Sequence, residues 1–335
     1  MSNLTPLQRN LLIALGFLAL MAIMPLMITQ RYFLGQIILF MIWASVAIQW
    51  NVLIGHAGVF SLAQMLIFAI GAYALAMMNS YLGISPWVAM PLAAIVAAAC
   101  ALVIGLACLR LGTAYVALLT FAISYMVYVL IITEATCYTN VGGGCQRFFG
   151  GTTGFSRLDD LGFRKVLRGQ WMVGNFYVVL GALALSLISS IYVIHGRLGL
   201  AFLALSDSRT YAISRGLART KFQILAFVIT AFFTGLTGAV YAAHFKSAGP
   251  SLFDFSLLML VLAMVIVGGL KSTWGPLAGA AIMMTVVELA KDYGDIRNTI
   301  VGLVLVVFVV LLPSGFAKLA TSISVRSSNL SAGNK

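Results

Sequence analysis

The chain has 335 residues, 62% of them hydrophobic and 8% charged, with a mean hydropathy of +1.06 and a formal charge of +12. Those values lie far outside soluble composition and exclude a pair of soluble domains. A hydrocarbon core takes about 20 apolar residues per helix, so the apolar content supplies about ten spans and leaves nothing for a separate catalytic domain. The apolar runs are continuous, which excludes the alternating strands of a porin-like barrel. The expected class is all-α: a polytopic membrane protein with about ten transmembrane helices, some of them short or Gly-interrupted.

In chain order, uncharged stretches long enough to span fall near 11–29, 32–54, 59–79, 86–109, 113–133, 173–194, 222–243, 255–270, 275–292 and 296–313. The first follows Arg9, but Pro25 and Met27 stand where a signal-peptide cleavage site needs small residues, so it reads as an uncleaved helix. Two connections are long. Residues 134–172 carry mixed charges, among them Glu134, Asp159, Asp160, Arg147 and Arg164, whereas 195–221 carry Arg197, Arg209, Arg215, Arg219 and Lys221 against Asp207 alone. One helix separates them, so they face opposite sides. Cytoplasmic loops collect Lys and Arg, so the basic loop is assigned inside and 134–172 outside. By helix count, both termini then lie in the cytoplasm. This orientation places +10 of the +12 charge inside, so no nucleic-acid partner is needed to explain the basicity. The organisation expected is a single transmembrane domain over 1–318 and a cytoplasmic tail at 319–335.

Cys100 and Cys108 lie within an apolar helix and read as packing residues. Cys137 and Cys145 flank Gly142-Gly143-Gly144 in the loop assigned outside, where they either pair in an oxidising periplasm or stay as free thiols. His56, His195 and His244 are far apart and share no helical i, i+4 spacing, so no metal site is expected. The run Gly269-Leu270-Lys271-Ser272-Thr273 ends in Lys-Ser but lacks the glycine spacing of a phosphate-binding loop. The sequence offers no Ser/His/Asp set and no paired intramembrane carboxylates. No catalytic residue is assigned, no enzyme activity is expected, and an energy source would have to come from another chain.

The polar features that stand out are glycine-rich breaks in apolar segments. Gly55 and Gly58 interrupt the chain before Ser61 and Gln64, and Gly268, Gly269, Gly275 and Pro276 do the same in the second half. Such breaks free backbone groups along transport pathways. They also let helices pack closely, and the two roles can coexist.

The run from Asn51 to Tyr73, with Gly55-His56-Ala57-Gly58 and Ser61-Leu62-Ala63-Gln64, resembles the signature of the branched-chain amino acid ABC transporter permeases, in the LivM branch. Leu109-Arg110-Leu111 with Tyr115–Phe121, Gly150–Phe155, and Ala263–Leu270 with Trp274-Gly275-Pro276 agree in order and spacing, so the resemblance covers roughly 35–316. It implies a permease subunit in a bacterial inner membrane, working with a second permease of similar fold, two ATP-binding cassette subunits and an external solute-binding protein. The chain itself would bind no cofactor, and ATP would be used by the partner subunits. Branched-chain amino acids are the implied cargo, with urea, amides or aromatic acids carried by relatives.

The resemblance also implies that Gly199–Gly216 holds the cytoplasmic helix that docks on an ATPase. Ser206, Asp207, Ser208, Arg209, Tyr211, Ala212 and Gly216 are the coupling residues, Gly216 suiting a helix end and Asp207 the start of the helix after it. Polar residues on the broken helices, Asn51, Ser61, Gln64, Thr120, Ser124 and Thr234, are candidates for the solute pathway or for bonding within the bundle. Glu288, near Lys291 and Asp292, reads as a membrane-edge ion pair. The rival class is a self-sufficient secondary transporter or channel, which would need its own coupling group; a membrane enzyme or scaffold is a third.

Overall fold

The computed structural model describes residues 5–28, 30–109, 111–141, 144–164 and 170–311. Arg110, Gly142, Gly143 and the tail expected at 319–335 lie outside the described residues.

Each of the ten expected spans is a helix. They are α1 (Pro6–Met27), α2 (Arg31–Asn51), α3 (Gln64–Leu82), α4 (Pro86–Cys108), α5 (Thr113–Thr133) and α6 (Trp171–His195) in the first part of the chain. Two further helices, α7 (Arg197–Asp207) and α8 (Arg209–Ser214), occupy the basic loop. The remaining spans are α9 (Arg219–Phe245), α10 (Phe255–Gly268), α11 (Gly275–Leu289) and α12 (Arg297–Leu311).

Local chemistry sets several of the ends. Thr5 and Gln8 form a reciprocal capping box with Pro6 in the first turn of α1, and Gly83 closes α3 with a left-handed φ of 61°. Helix α2 runs on as a π-turn, Val52–His56, before the first glycine break. Seven helices among the described residues are long and apolar enough to cross a membrane, α2 counted together with its π-turn. Helices α10, α11 and α12 have 14, 15 and 15 residues, about 21–23 Å of rise against a hydrocarbon core of about 30 Å.

The bundle core is built from α2, α3, α4, α6 and α9. Trp50, Phe68, Phe176 and Phe227 are fully enclosed there. The closest approach is between α3 and α9, where Gly71 faces the backbone of Gly235 and Gly238 faces the carbonyl of Phe68. Small residues permit this backbone contact, which supplies the packing that holds apolar helices together in lipid.

Long-range polar contacts sort the connections into two faces. On the face of α7 and α8, Lys271 pairs with Asp207, and Asn10 joins His195 (2.8 Å) and the indole N–H of Trp274 (3.2 Å). On the opposite face, Lys246 pairs with Asp160, Asn79 donates to Asp159, and Tyr32 and Lys291 both bond Glu288. Each ion pair therefore joins residues that the charge argument had put on one side, the Glu288–Lys291 pair included.

The 134–172 connection is more structured than a loop reading implies. Strands β1 (Cys137–Val141) and β2 (Gly144–Arg147) form an antiparallel hairpin, and β3 (Phe155–Ser156) pairs with β4 (Ser247–Ala248) beyond α9. Cys137 is disulfide-bonded and Cys100 and Cys108 are free; the side chain of the expected partner, Cys145, lies outside the described residues. Phe155 is buried edge-on against Tyr73 and Tyr81, pinning the connection to α3. Asp160 is partly buried, which opposes its ionisation, but the hydrogen bonds from Lys246 Nζ and the Arg164 amide outweigh that cost. Its carboxyl therefore lies below the ordinary carboxylate value.

Candidate functional site: a helical joint and a mid-depth cavity

The α7–α8 segment is amphipathic. Ala201, Phe202, Leu205 and Ala212 are buried against the bundle, while Leu200, Leu203, Tyr211 and Ile213 are exposed beside Arg215. Apolar side chains exposed outside the bundle core on a basic surface have the character of a protein-contact patch. Arg215 folds over Tyr211, its guanidinium 5.3 Å from the ring centroid and 2.8 Å from the hydroxyl. Gly216, with φ +88°, ends α8 in a left-handed turn in which the amide of Leu217 donates to the carbonyl of Ala212. Asp207 does not start the following helix. It is the last residue of α7, Ser208 precedes α8 without a side-chain cap, and the Asp207 carboxylate instead accepts from Lys271 Nζ at 2.8 Å.

That ion pair reaches the second glycine break, and a neighbouring contact reaches the first. Gly58 has φ +65°, and a Cβ there would stand 2.8 Å from Ser206 Oγ and 3.1 Å from Ser206 Cα. The break at Gly55 lies against the amide of Lys271, and Asn51 Nδ2 donates to the carbonyl of Ser272 at 2.8 Å. Gly268 and Gly275 bring the ends of α10 and α11 into backbone contact across Gly269, which has φ +101°, and Pro276 occupies the first turn of α11. The end of α7, the turn after α2 and the α10–α11 turn therefore form one joint. The six helix-break residues and Ser206 and Asp207 belong to it, and sequence separation hid that they meet.

The six polar candidates on the broken helices are all buried. Gln64 Nε2 bonds Thr234 Oγ1 between α3 and α9. Thr120 accepts the amide of Leu62 at 3.0 Å and donates to the Val116 carbonyl. Ser61 accepts the amide of Ala63, while its own carbonyl takes the indole N–H of Trp50. These bonds tie the stretch after the first break to α2, α5 and α9. None of the six lines either of the two large cavities described below.

One cavity, of about 790 Å³, lies between α1, α2 and α11 among apolar side chains such as Phe17, Met21 and Phe40. The other, of about 550 Å³, lies among α2, α9, α10, α11 and α12, with Ser251, Asp254 and Ser256 as its polar groups. The sequence pattern does not single out these three, because 244–254 reads as an external connection. The signal available was an acid directly preceding a helix too short to cross alone. Among the described residues, no group of three or more His, Cys, Asp or Glu side chains is placed to hold a metal ion.

Residues 32–312 match the family model of the branched-chain amino acid transport system permease component. The chain belongs to that family. The high-affinity branched-chain amino acid transport system permease protein LivM of Salmonella typhimurium is 30% identical over 299 residues, covering 82% of this chain and 67% of the relative. LivM of Escherichia coli is 29% identical over the same shares. No solved structure matches the permease. The matched region takes in the joint and the whole lining of the 550 Å³ cavity, so these are features of a membrane transport permease; the larger cavity is lined in part by α1, which precedes the match. The family resemblance read from Asn51–Tyr73 and the later stretches is thereby confirmed.

Proposed function

We propose that this permease is a subunit of a binding-protein-dependent ABC importer of branched-chain amino acids in a bacterial inner membrane. Its single transmembrane unit, 1–318, forms the solute pathway with a second permease of similar fold. Two ATP-binding cassette subunits complete the assembly, one of them docking on α7 and α8, where the exposed Arg209 and Tyr211 centre the contact and the buried Ala212 seats α8 on the bundle, and an external binding protein delivers the solute to the face of the 134–172 connection. The chain binds no cofactor of its own; ATP is used by the cassette subunits. The α7 face is cytoplasmic, as its Arg and Lys residues favour, with both termini on that side.

The observation that carries this reading is the joint. An exposed amphipathic helix pair whose end holds both glycine breaks gives a motor subunit a lever on α2, α3, α10 and α11 at once. A push on α7 moves the Ser206–Gly58 contact and the Asp207–Lys271 pair together. Interfaces packed this closely shift between discrete arrangements rather than deforming continuously, which suits alternating access. Proteoliposomes holding the permease, its partner permease and the cassette subunits provide the test. ATP-dependent accumulation of labelled leucine in the presence of the binding protein supports the importer. Uptake by the purified chain alone without ATP establishes the secondary-transporter alternative.

A further inference from the structure

We infer that the 550 Å³ cavity at Asp254 is a subsite for the ammonium group of a small apolar amino acid in transit, an inference that rests on the import function proposed above.

The cavity opens on one side of the bundle, where Ser251, Asp254, Phe255 and Ser256 are exposed, and it lies at mid-depth along the helices. Phe253 packs against Tyr73 and Tyr128, and Phe255 meets Phe121 edge-on with centroids 5.7 Å apart. Tyr73 and Phe121 stand near the middle of α3 and α5, and Trp43, which lines the cavity, stands near the middle of α2. The connection from α9 therefore dips back into the bundle as β4 and a 3-10 turn, Pro250–Phe253. Helix α10 starts at that depth, which explains how 14 residues suffice to reach the joint.

A carboxylate at that depth is costly unless it faces a watery path or a cation. Asp254 occupies the N-cap position of α10, where an aspartate ordinarily accepts a first-turn amide, yet its side chain makes no capping bond. It has no ion pair or side-chain hydrogen bond among the described residues, whereas Glu288, the acid lining the larger cavity, is engaged by Tyr32 and Lys291. The carboxylate is exposed to the cavity and left open.

The surroundings suit one chemical class. Ser251 and Ser256 add hydroxyls beside the carboxylate, and Trp43 and Tyr241 present aromatic rings to the same space, a setting that attracts an organic cation. Leu260, Val287 and Val301 add aliphatic lining. The volume lies in the range of small-molecule sites. A ligand with a positive group at one end and a branched hydrocarbon at the other satisfies both kinds of lining. An acid without an amine brings its negative charge to Asp254 with no ammonium to offset it, and urea and simple amides leave the carboxylate without a cation.

The test uses the assembled transporter in proteoliposomes, with L-leucine and its deaminated analogue 4-methylpentanoate as probes. Asp254→Asn lowers ATP-driven leucine uptake about tenfold or more, the scale of losing a hydrogen bond to a charged group, and Asp254→Glu recovers much of it. Asp254→Cys, in a Cys100→Ala/Cys108→Ala background, reacts with 2-aminoethyl methanethiosulfonate. Leucine slows that reaction and 4-methylpentanoate leaves it unchanged. If Asp254→Asn fails to assemble with its partners, the protection experiment decides alone. Wild-type leucine uptake by Asp254→Asn, or equal reactivity of the introduced thiol with and without leucine, overturns the subsite and leaves the import function standing. Wild-type complexes that import no amino acid overturn the function and the subsite together.

Discussion

Gly58→Ala probes the joint at its tightest point. The alanine must hold φ +65°, a left-handed conformation that costs an L-residue about 1–2 kcal/mol. Its methyl group would also stand 2.8 Å from Ser206 Oγ, 2.9 Å from Ser206 Cβ and 3.1 Å from Ser206 Cα. The hydroxyl can rotate away, but Cβ and Cα cannot, so α7 itself must move; overpacking of this kind costs about 1–3 kcal/mol. The expected loss is about 2–5 kcal/mol in all, felt where α7 meets the bundle. The assay measures thermal stability in detergent and, in proteoliposomes, the ratio of ATP hydrolysed to leucine imported. Gly58→Ala lowers stability and raises that ratio, and a second change, Ser206→Gly, restores about the overpacking share while the backbone share persists. An alanine variant equal to wild type in both measurements would show that neither the strain nor the contact matters at this joint.

Three other outcomes follow from the same contacts. Asp207→Asn or Lys271→Ala changes stability by less than about 1 kcal/mol, because both side chains are about half exposed, yet it raises the ATP cost per leucine; unchanged coupling in both variants counts against the lever. Gly268→Ala forces the ends of α10 and α11 apart, since its Cβ would overlap the backbone of Gly275, and should cost about 1–3 kcal/mol or more in thermal unfolding. The lowered pKa of Asp160 gives a pH dependence with a defined sign. The carboxylate stabilises the contact with Lys246 above the unfolded-state value of about 3.9, and that stability is lost as pH falls through the lower folded value. Hydrogen exchange at 155–160 should therefore rise, relative to the intrinsic rate, in strong acid, and Asp160→Asn should show that increase already at neutral pH.

The ten helices were legible because each is a continuous apolar run bounded by charges or, between α2 and α4, by glycine, serine and proline, and lipid demands such runs whatever the tertiary packing. The shortness of α10 and α11 was legible from the glycine and proline residues that bound them. Depth was not: Ser247 to Asp254 has the composition of a surface turn, and only the contacts of Phe253 and Phe255 with Tyr73, Phe121 and Tyr128 put the start of α10 at mid-depth. Similarly, Gln64 and Thr234 are 170 residues apart, so periodicity puts each on a helix without revealing that they bond each other. The glycine-rich breaks mark Gly55, Gly58 and Gly268, and the family signature marks Asp207, each separately. Their meeting at one joint depends on crossing geometry, which no local pattern encodes.

In the proposed importer α7 and α8 form the seat of an ATPase and pass its motion to the glycine breaks. A photo-reactive cross-linker placed at Tyr211, which is 61% exposed, in the assembled transporter tests this arrangement directly. The expected product is an adduct with a cassette subunit whose yield changes when ATP is bound. Adducts with lipid alone, or none with a cassette subunit in any nucleotide state, would contradict it.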